Sequence, residues 1–263
     1  MPKRIIGIIS GKGGVGKTTI SVNLSVLSSM SGAEIVLIDG DMGNPGVGLH
    51  LGLWGYSTGL QKVLAGECTL DQATIIHPTT GIRVVPSTLE YERGVMMSKL
   101  KEVLGKAHEE LVIVDSPPGV SALAEEILSS CTEALIVVTP DIPSVMGASK
   151  IIELAKQCKV KVSGLVLNRV QNKKYEMHPK EIENTCDARI LSIIPEDRAV
   201  PESISARIPA VIYAPSSIVS QKFQELAEVL EINGGKTPVR GSGVGRGIVA
   251  RMIAFLKRMF SSE

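Results

Sequence analysis

Two lysines, two adjacent threonines and three aspartates stand where they could handle a phosphate chain. Gly11-Lys12-Gly13-Gly14-Val15-Gly16-Lys17-Thr18 reads G-x-x-x-x-G-K-[ST] and directly follows a short apolar run. The glycines let successive backbone N–H groups turn inward around phosphate oxygens, and a helix opening at Lys17 adds its positive end. In such a loop Lys17 reaches the β- and γ-phosphates, the Thr18 hydroxyl ligates Mg²⁺ directly, and Thr19 is placed at the α-phosphate. Lys12 is not needed to cradle phosphate within one subunit; turned away from its own nucleotide, it could serve a neighbour's. Asp39 and Asp41 follow the apolar run 35–38, and Asp115 follows the run 111–114. Both runs read as strands, and doubly wound sheets bind ligands at the carboxyl ends of their strands.

The sequence Lys12-Gly13-Gly14-Val15-Gly16-Lys17-Thr18-Thr19 resembles the deviant Walker A motif of the MinD/ParA ATPases. The resemblance implies that Lys12 crosses a nucleotide-sandwich dimer and neutralises transition-state charge, as an arginine finger does. It also implies that Asp115, followed by Ser116-Pro117-Pro118-Gly119, is the Walker B aspartate holding Mg²⁺ through water. Asp39 of the Asp39-Gly40-Asp41 segment then lies near the metal, again through water, and Asp41 orients the attacking water. Lys12, Lys17 and Asp41 are thus the expected catalytic residues. Asn168, in Leu167-Asn168-Arg169, is similar to the family's adenine-reading asparagine, whose amide both donates and accepts. Pro195-Glu196-Asp197 resembles the segment that covers the base, so Pro195 and Asp197 join the expected contacts. Arg169-Val170-Gln171 follows Asn168, so no guanine reader of the N-K-x-D type is present and ATP is favoured over GTP.

The elements that must position these residues are legible as an alternation. Short apolar runs at 5–9, 35–38, 82–85, 111–114, 134–138, 162–167, 190–194 and 210–213 read as strands. Helical patterns at 17–30, 120–130, 144–157, 196–206 and 216–231 lie between them. Near-continuous apolar strands are buried on both faces, which predicts one α/β domain over 1–232. Its expected architecture is a doubly wound, mainly parallel sheet with helices on both faces, as in P-loop NTPases.

Composition narrows the remaining functions. Twenty-eight Lys and Arg against 27 Asp and Glu give a net charge of +1 over 263 residues. From Lys236 onward six cations face Glu263 alone, which leaves the preceding domain at −4. A domain of that sign lacks the basic face of a ParA-type DNA binder, and no specific nucleic acid is expected. Aromatic residues are 3% of the chain, too thinly spread for base-stacking platforms. Cys68, Cys131, Cys158 and Cys186 form no C-x-x-C pair, which disfavours an iron–sulfur carrier and a disulfide framework. The apolar run after Met1-Pro-Lys-Arg is too short for a signal peptide, so the chain is expected in the cytoplasm.

Residues 233–247 contain six glycines and read as a flexible linker. After the linker, helical spacing over 248–260 gathers Ile248, Met252, Phe255, Leu256, Met259 and Phe260 on one face, with Arg251, Lys257 and Arg258 opposite. Such a stripe suits either a terminal helix docked on the core or a helix lying in an anionic membrane surface. The tether, the cationic face and the full helical complement of the domain favour the membrane. One such tail binds marginally, while two on a dimer gain about 10²- to 10⁴-fold in avidity, so ATP-driven dimerisation would act as a membrane switch. The resemblance to MinD extends through this terminus. It implies a homodimerising ATPase, peripherally attached to the inner face of the cell membrane, that recruits a protein activator or effector and positions the division site. A flagellar-number or ParA-like spatial ATPase, or an ATP-bound scaffold without turnover, are the competing readings.

Overall fold

The computed structural model describes residues 4–53, 55–88, 95 and 97–232. Eight strands among them form one sheet: β1 (Arg4–Ile9), β2 (Ile35–Asp39), β3 (Ile75–Ile76), β4 (Arg83–Val85), β5 (Leu111–Asp115), β6 (Glu133–Val138), β7 (Lys161–Val170) and β8 (Ile190–Pro195). Their order is β3-β4-β2-β5-β1-β6-β7-β8, and every neighbouring pair is parallel except β3 with β4. The helices are α1 (Lys17–Met30), α2 (Val47–Leu51), α3 (Leu60–Ala65), α4 (Leu70–Ala73), α5 (Leu100–Gly105), α6 (Ala122–Ser130), α7 (Ile142–Gln157), α8 (Pro179–Cys186), α9 (Ala199–Ala206), α10 (Ala210–Tyr213) and α11 (Ile218–Val229).

Period-two alternation sends successive strand residues into two separate cores. Val36, Ile38, Val112 and Val114 pack with Leu64, Leu104, Ile127 and Ile151 on one face. Ile35, Leu37, Leu111 and Ile113 pack with Ile20, Leu24, Phe223 and Leu226 on the other. Every residue of β2 and β5 is buried, which is why those strands read as unbroken apolar runs.

From β1 the chain crosses through α1 to β2 on one side, and from β6 it crosses through α7 to β7 on the other. The neighbours β1 and β6 therefore send their connections apart, and a crevice opens at their carboxyl ends. The glycine loop, the segment after β6 and the end of β7 all meet there.

Several expectations need correction. Residues 210–213 are not a strand but the short helix α10. Asn23 Oδ1 accepts from the Val211 N–H at 3.0 Å, and Ser220 Oγ donates to the Ala210 carbonyl at 3.0 Å, holding the helix between α1 and α11. A four-residue apolar run has no periodicity to separate a buried strand from a buried turn of helix. The helix expected at 196–206 begins at Ala199, because Asp197 Oδ1 accepts the Ala199 N–H at 2.9 Å and starts the turn there. The helix expected from 144 begins at Ile142, after Asp141, whose side chain caps it by accepting from Ser144 N–H. The short elements α2 to α5, α8 and β3 have no counterpart among the expected ones. Linker 233–247 and the amphipathic segment 248–260 lie outside the described residues.

Candidate functional site

The loop between β1 and α1 takes its shape from two glycines in the left-handed region, Gly14 with φ 77° and Gly16 with φ 98°. Gly16 is also sterically closed: a Cβ there would lie 2.4 Å from Asn168 Nδ2. That amide donates to the Val15 carbonyl at 2.7 Å, and Arg169 Nη1 donates to the Gly14 carbonyl at 3.0 Å, so the end of β7 clamps the loop from outside. On the opposite side Gly11 lies against Gly147 of α7; a Cβ on Gly11 would come within 2.1 Å of the Gly147 carbonyl carbon. With its carbonyls tied outward, the loop leaves N–H groups for the crevice, and the N-terminus of α1 points the same way.

Lys17 is 7% exposed at the start of α1. Burial lowers its pKa, opposed by the charges of Asp115 and Asp41, which places all three in one electrostatic group. Asp115 is fully buried at the end of β5. It accepts from Thr18 Oγ1 at 2.6 Å and from Ser21 Oγ at 3.0 Å. Burial pushes its pKa up to about 6 against the pull of Thr18, Lys17 and Ser21. Asp39, also fully buried, accepts from the backbone N–H groups of Asp41, Gly46 and Val47 at 3.0–3.1 Å. It thereby holds segment 40–47 in a turn and meets the N-terminus of α2. Burial, with the charge of Asp115 second, raises its pKa well above the carboxylate range. Asp41 is half-buried and accepts from the Asn44 N–H at 3.0 Å; burial raises its pKa against that bond and the charge of Lys17.

Lys12 lies apart from this group. Its ammonium is 3.0 Å from Asp141 Oδ1, and its side chain remains 46% exposed. The other oxygen of Asp141 accepts from Thr139 Oγ1, so the ion pair is anchored to the cap of α7. A cavity of about 250 Å³ opens on the far side of the loop, lined by Gly14, Gly16, Thr19, Asn168, Pro195 and Asp197 among others. The structure therefore brings the expected base-contacting residues together with the loop. Arg169, held by Glu196 at 2.7 Å, borders the same cavity.

Sequence reasoning missed Ser21, Asp141, Gly147, Arg169 and the clamp role of Asn168. A lone glycine inside a helical pattern was the one available signal, at Gly147, since it marks a close backbone approach. His50 was missed as well; nothing in its neighbourhood in the sequence singles it out.

The donor set fits a magnesium–nucleotide. Thr18 and Asp115 offer hard oxygens side by side, Lys17 offers a buried cation, and the Gly16 turn has no room for a side chain. Among the described residues no cluster of three or more His, Cys, Asp or Glu could hold a metal ion alone. A magnesium here would lean on phosphate oxygens and water.

The family described as the CobQ/CobB/MinD/ParA nucleotide binding domain matches residues 6–210. An uncharacterized ATP-binding protein of Methanocaldococcus jannaschii is 35% identical over 229 residues, covering 86% of each chain. The septum site-determining protein MinD of Synechocystis is 30% identical over 239 residues, covering 87% of this chain and 89% of that protein. Among solved structures, the septum site-determining protein MinD of Pyrococcus horikoshii, complexed with Mg-ADP, superposes with a TM-score of 0.83 at 32% identity. That match covers 88% of this chain and 97% of that one. The chain belongs to the CobQ/CobB/MinD/ParA nucleotide-binding family and has MinD proteins among its relatives.

Proposed function

We propose that this chain is a magnesium-dependent ATPase that dimerises on binding ATP, binds membrane reversibly in that state, and places the cell division site. The observation that carries the reading is the division of labour between two lysines of one loop. Lys17 is buried among Asp115 and Asp41, whereas Lys12 is exposed and paired with Asp141 outside that group. A lysine held at the loop's edge is available to a second subunit.

In this reading the loop N–H groups and Lys17 hold the β- and γ-phosphates. Thr18 and Asp115 would hold magnesium, Thr18 directly and Asp115 through water, with Asp39 nearby. The metal supplies charge neutralisation at the β- and γ-oxygens. Asp41, the least buried of the three carboxylates, orients the attacking water. Lys12 leaves Asp141 and meets the partner's nucleotide, so hydrolysis requires the dimer. The cavity at Asn168, Pro195 and Asp197 takes adenine. Membrane contact falls to the cationic, amphipathic segment with Ile248, Met252, Phe255, Leu256, Met259 and Phe260. No helix among the described residues is long and apolar enough to cross a membrane. An activator or effector protein completes the cycle.

The experiment is Lys12→Ala against Lys17→Ala, with affinity by calorimetry, turnover by phosphate release over a range of protein concentrations, and oligomeric state by light scattering in ATP and ADP. Lys12→Ala is expected to bind ATP normally and lose hydrolysis; Lys17→Ala is expected to lose nucleotide binding. Wild-type turnover in Lys12→Ala, with unchanged dependence on protein concentration, would refute the crossing lysine.

A further inference from the structure

His50 on α2 joins the nucleotide cavity to the segment that carries Asp41. Its Nδ1 lies 2.9 Å from the Gly46 carbonyl oxygen, and its Nε2 lies 3.3 Å from Thr19 Oγ1. A carbonyl oxygen only accepts, so Nδ1 carries the proton and Nε2 of the neutral ring is a lone pair. The Thr19 hydroxyl therefore donates its single hydrogen to His50. Thr19 also lines the cavity of about 250 Å³, where an arriving phosphate oxygen is another acceptor. One hydroxyl hydrogen cannot serve both.

We propose that His50 is a proton-linked positioning residue for the nucleotide: as a phosphate oxygen takes the Thr19 O–H, His50 takes a proton from solvent at Nε2 and becomes the donor to Thr19 Oγ1. The proposal rests on the nucleotide reading of the site. Each bond remains satisfied: Nδ1–H to Gly46 is unchanged, Nε2–H replaces the lone pair, and the hydroxyl turns toward the ligand. Burial lowers the pKa of His50 against the opposing bond to Gly46, so the neutral ring prevails before the ligand arrives. The charged and titratable groups around α2 are Lys17 on α1, Asp39 and Asp41 before it, Tyr56 beside Gly48, His77, whose Nε2 lies 2.9 Å from the Leu51 carbonyl oxygen, and Arg198, Glu202 and Arg207 on and around α9. A bound phosphate adds a negative charge on the Thr19 side, which favours the imidazolium. The linkage also reaches Asp39, because the Gly46 residue that accepts from His50 donates its own N–H to Asp39 Oδ2 at 3.1 Å.

The test is calorimetry of Mg-ADP binding in buffers of different ionisation enthalpy, from about pH 6 to about pH 8, where a histidine titrates. His50→Gln is compared with the wild type, since its amide donates to Thr19 Oγ1 at any pH. The wild type is expected to take up more protons than His50→Gln, by up to about one per nucleotide. On acidification, the ratio of wild-type affinity to His50→Gln affinity should rise by up to about tenfold per pH unit. Titrations common to both proteins, those of Asp39, Asp115 and the phosphate, cancel in the difference. Equal proton uptake in the two overturns the proposal; a merely structural histidine would change affinity at every pH and leave uptake alone. If His50→Gln does not fold, His50→Leu, which frees the same hydroxyl, is expected to show the same loss of linkage. Wild-type protein that binds no Mg-ADP at all would sink the nucleotide reading, and this inference with it.

Discussion

Replacing Gly16 by alanine isolates the constraint that shapes the phosphate loop. At φ 98° an alanine pays about 1–2 kcal/mol for its left-handed backbone. Its Cβ would stand 2.4 Å from Asn168 Nδ2, so that amide must swing away from the Val15 carbonyl it now reaches at 2.7 Å. Asn168 is buried, and stranding its donor and the Val15 acceptor costs a further ~1–3 kcal/mol. The combined loss is about 2–5 kcal/mol, which in a domain of this size lowers Tm by about 4–20 °C. Urea unfolding of the nucleotide-free protein measures it, and a cycle with Asn168→Ala dissects it. Once Asn168 is truncated only the backbone strain remains, so the double variant should be less destabilised than the sum of the singles by about 1–3 kcal/mol, the cost of displacing the amide. Strict additivity, or a cost for Gly16→Ala below about 1 kcal/mol, would refute the clamp.

Asp115→Asn should stabilise the nucleotide-free protein at neutral pH while removing hydrolysis. The folded-state pKa of about 6 exceeds the unfolded one, so the native protein binds the extra proton and its stability falls as pH rises from about 4 through 6. Calorimetric melts should show Asp115→Asn gaining on the order of 3 kcal/mol at neutral pH and losing that slope; an unchanged slope would put the titration elsewhere. Asp41→Ala should trap an ATP-bound dimer in light scattering, because phosphate contacts persist while the water is no longer oriented; a monomer in ATP contradicts the role. Deleting residues from Ile248 onward, or replacing Phe255 and Leu256 with Glu, should abolish vesicle sedimentation in ATP without affecting dimerisation, and a truncated protein that still sediments would move the membrane contact to the domain.

The readable parts of the fold were those in which one chemical preference runs over several residues. Strands β2 and β5 are buried on both faces, so each residue independently votes for apolar character, and their carboxyl ends point to Asp39 and Asp115 without further information. Helices α2 and α10 have five residues or fewer, less than two turns, and their ends are set by tertiary bonds such as Asn23 to Val211 and Asp39 to Val47. A reader of the chain meets those partners many residues away, with no periodicity to connect them.

The same division runs through the site. Lys17, Thr18 and the glycines were legible because a loop that wraps a phosphate has a local covalent logic. The surfaces that press on the loop come from elsewhere: Gly147 is set against Gly11 and Asn168 against Gly16, and the first pair fits only because neither partner has a side chain, the second only because Gly16 has none. Asn168 shows how one residue can satisfy two demands that sequence reasoning treats separately. Its amide carries two N–H hydrogens and one carbonyl oxygen, and the clamp on Val15 uses a single hydrogen. One donor and the acceptor are left at the cavity it lines, and on the proposed reading they meet the edge of the adenine. An aspartate there would set two acceptors against each other at the Val15 carbonyl and release the loop. The clamp therefore needs a donor at this position whatever the cavity holds, and on the proposed reading the same amide also serves base recognition.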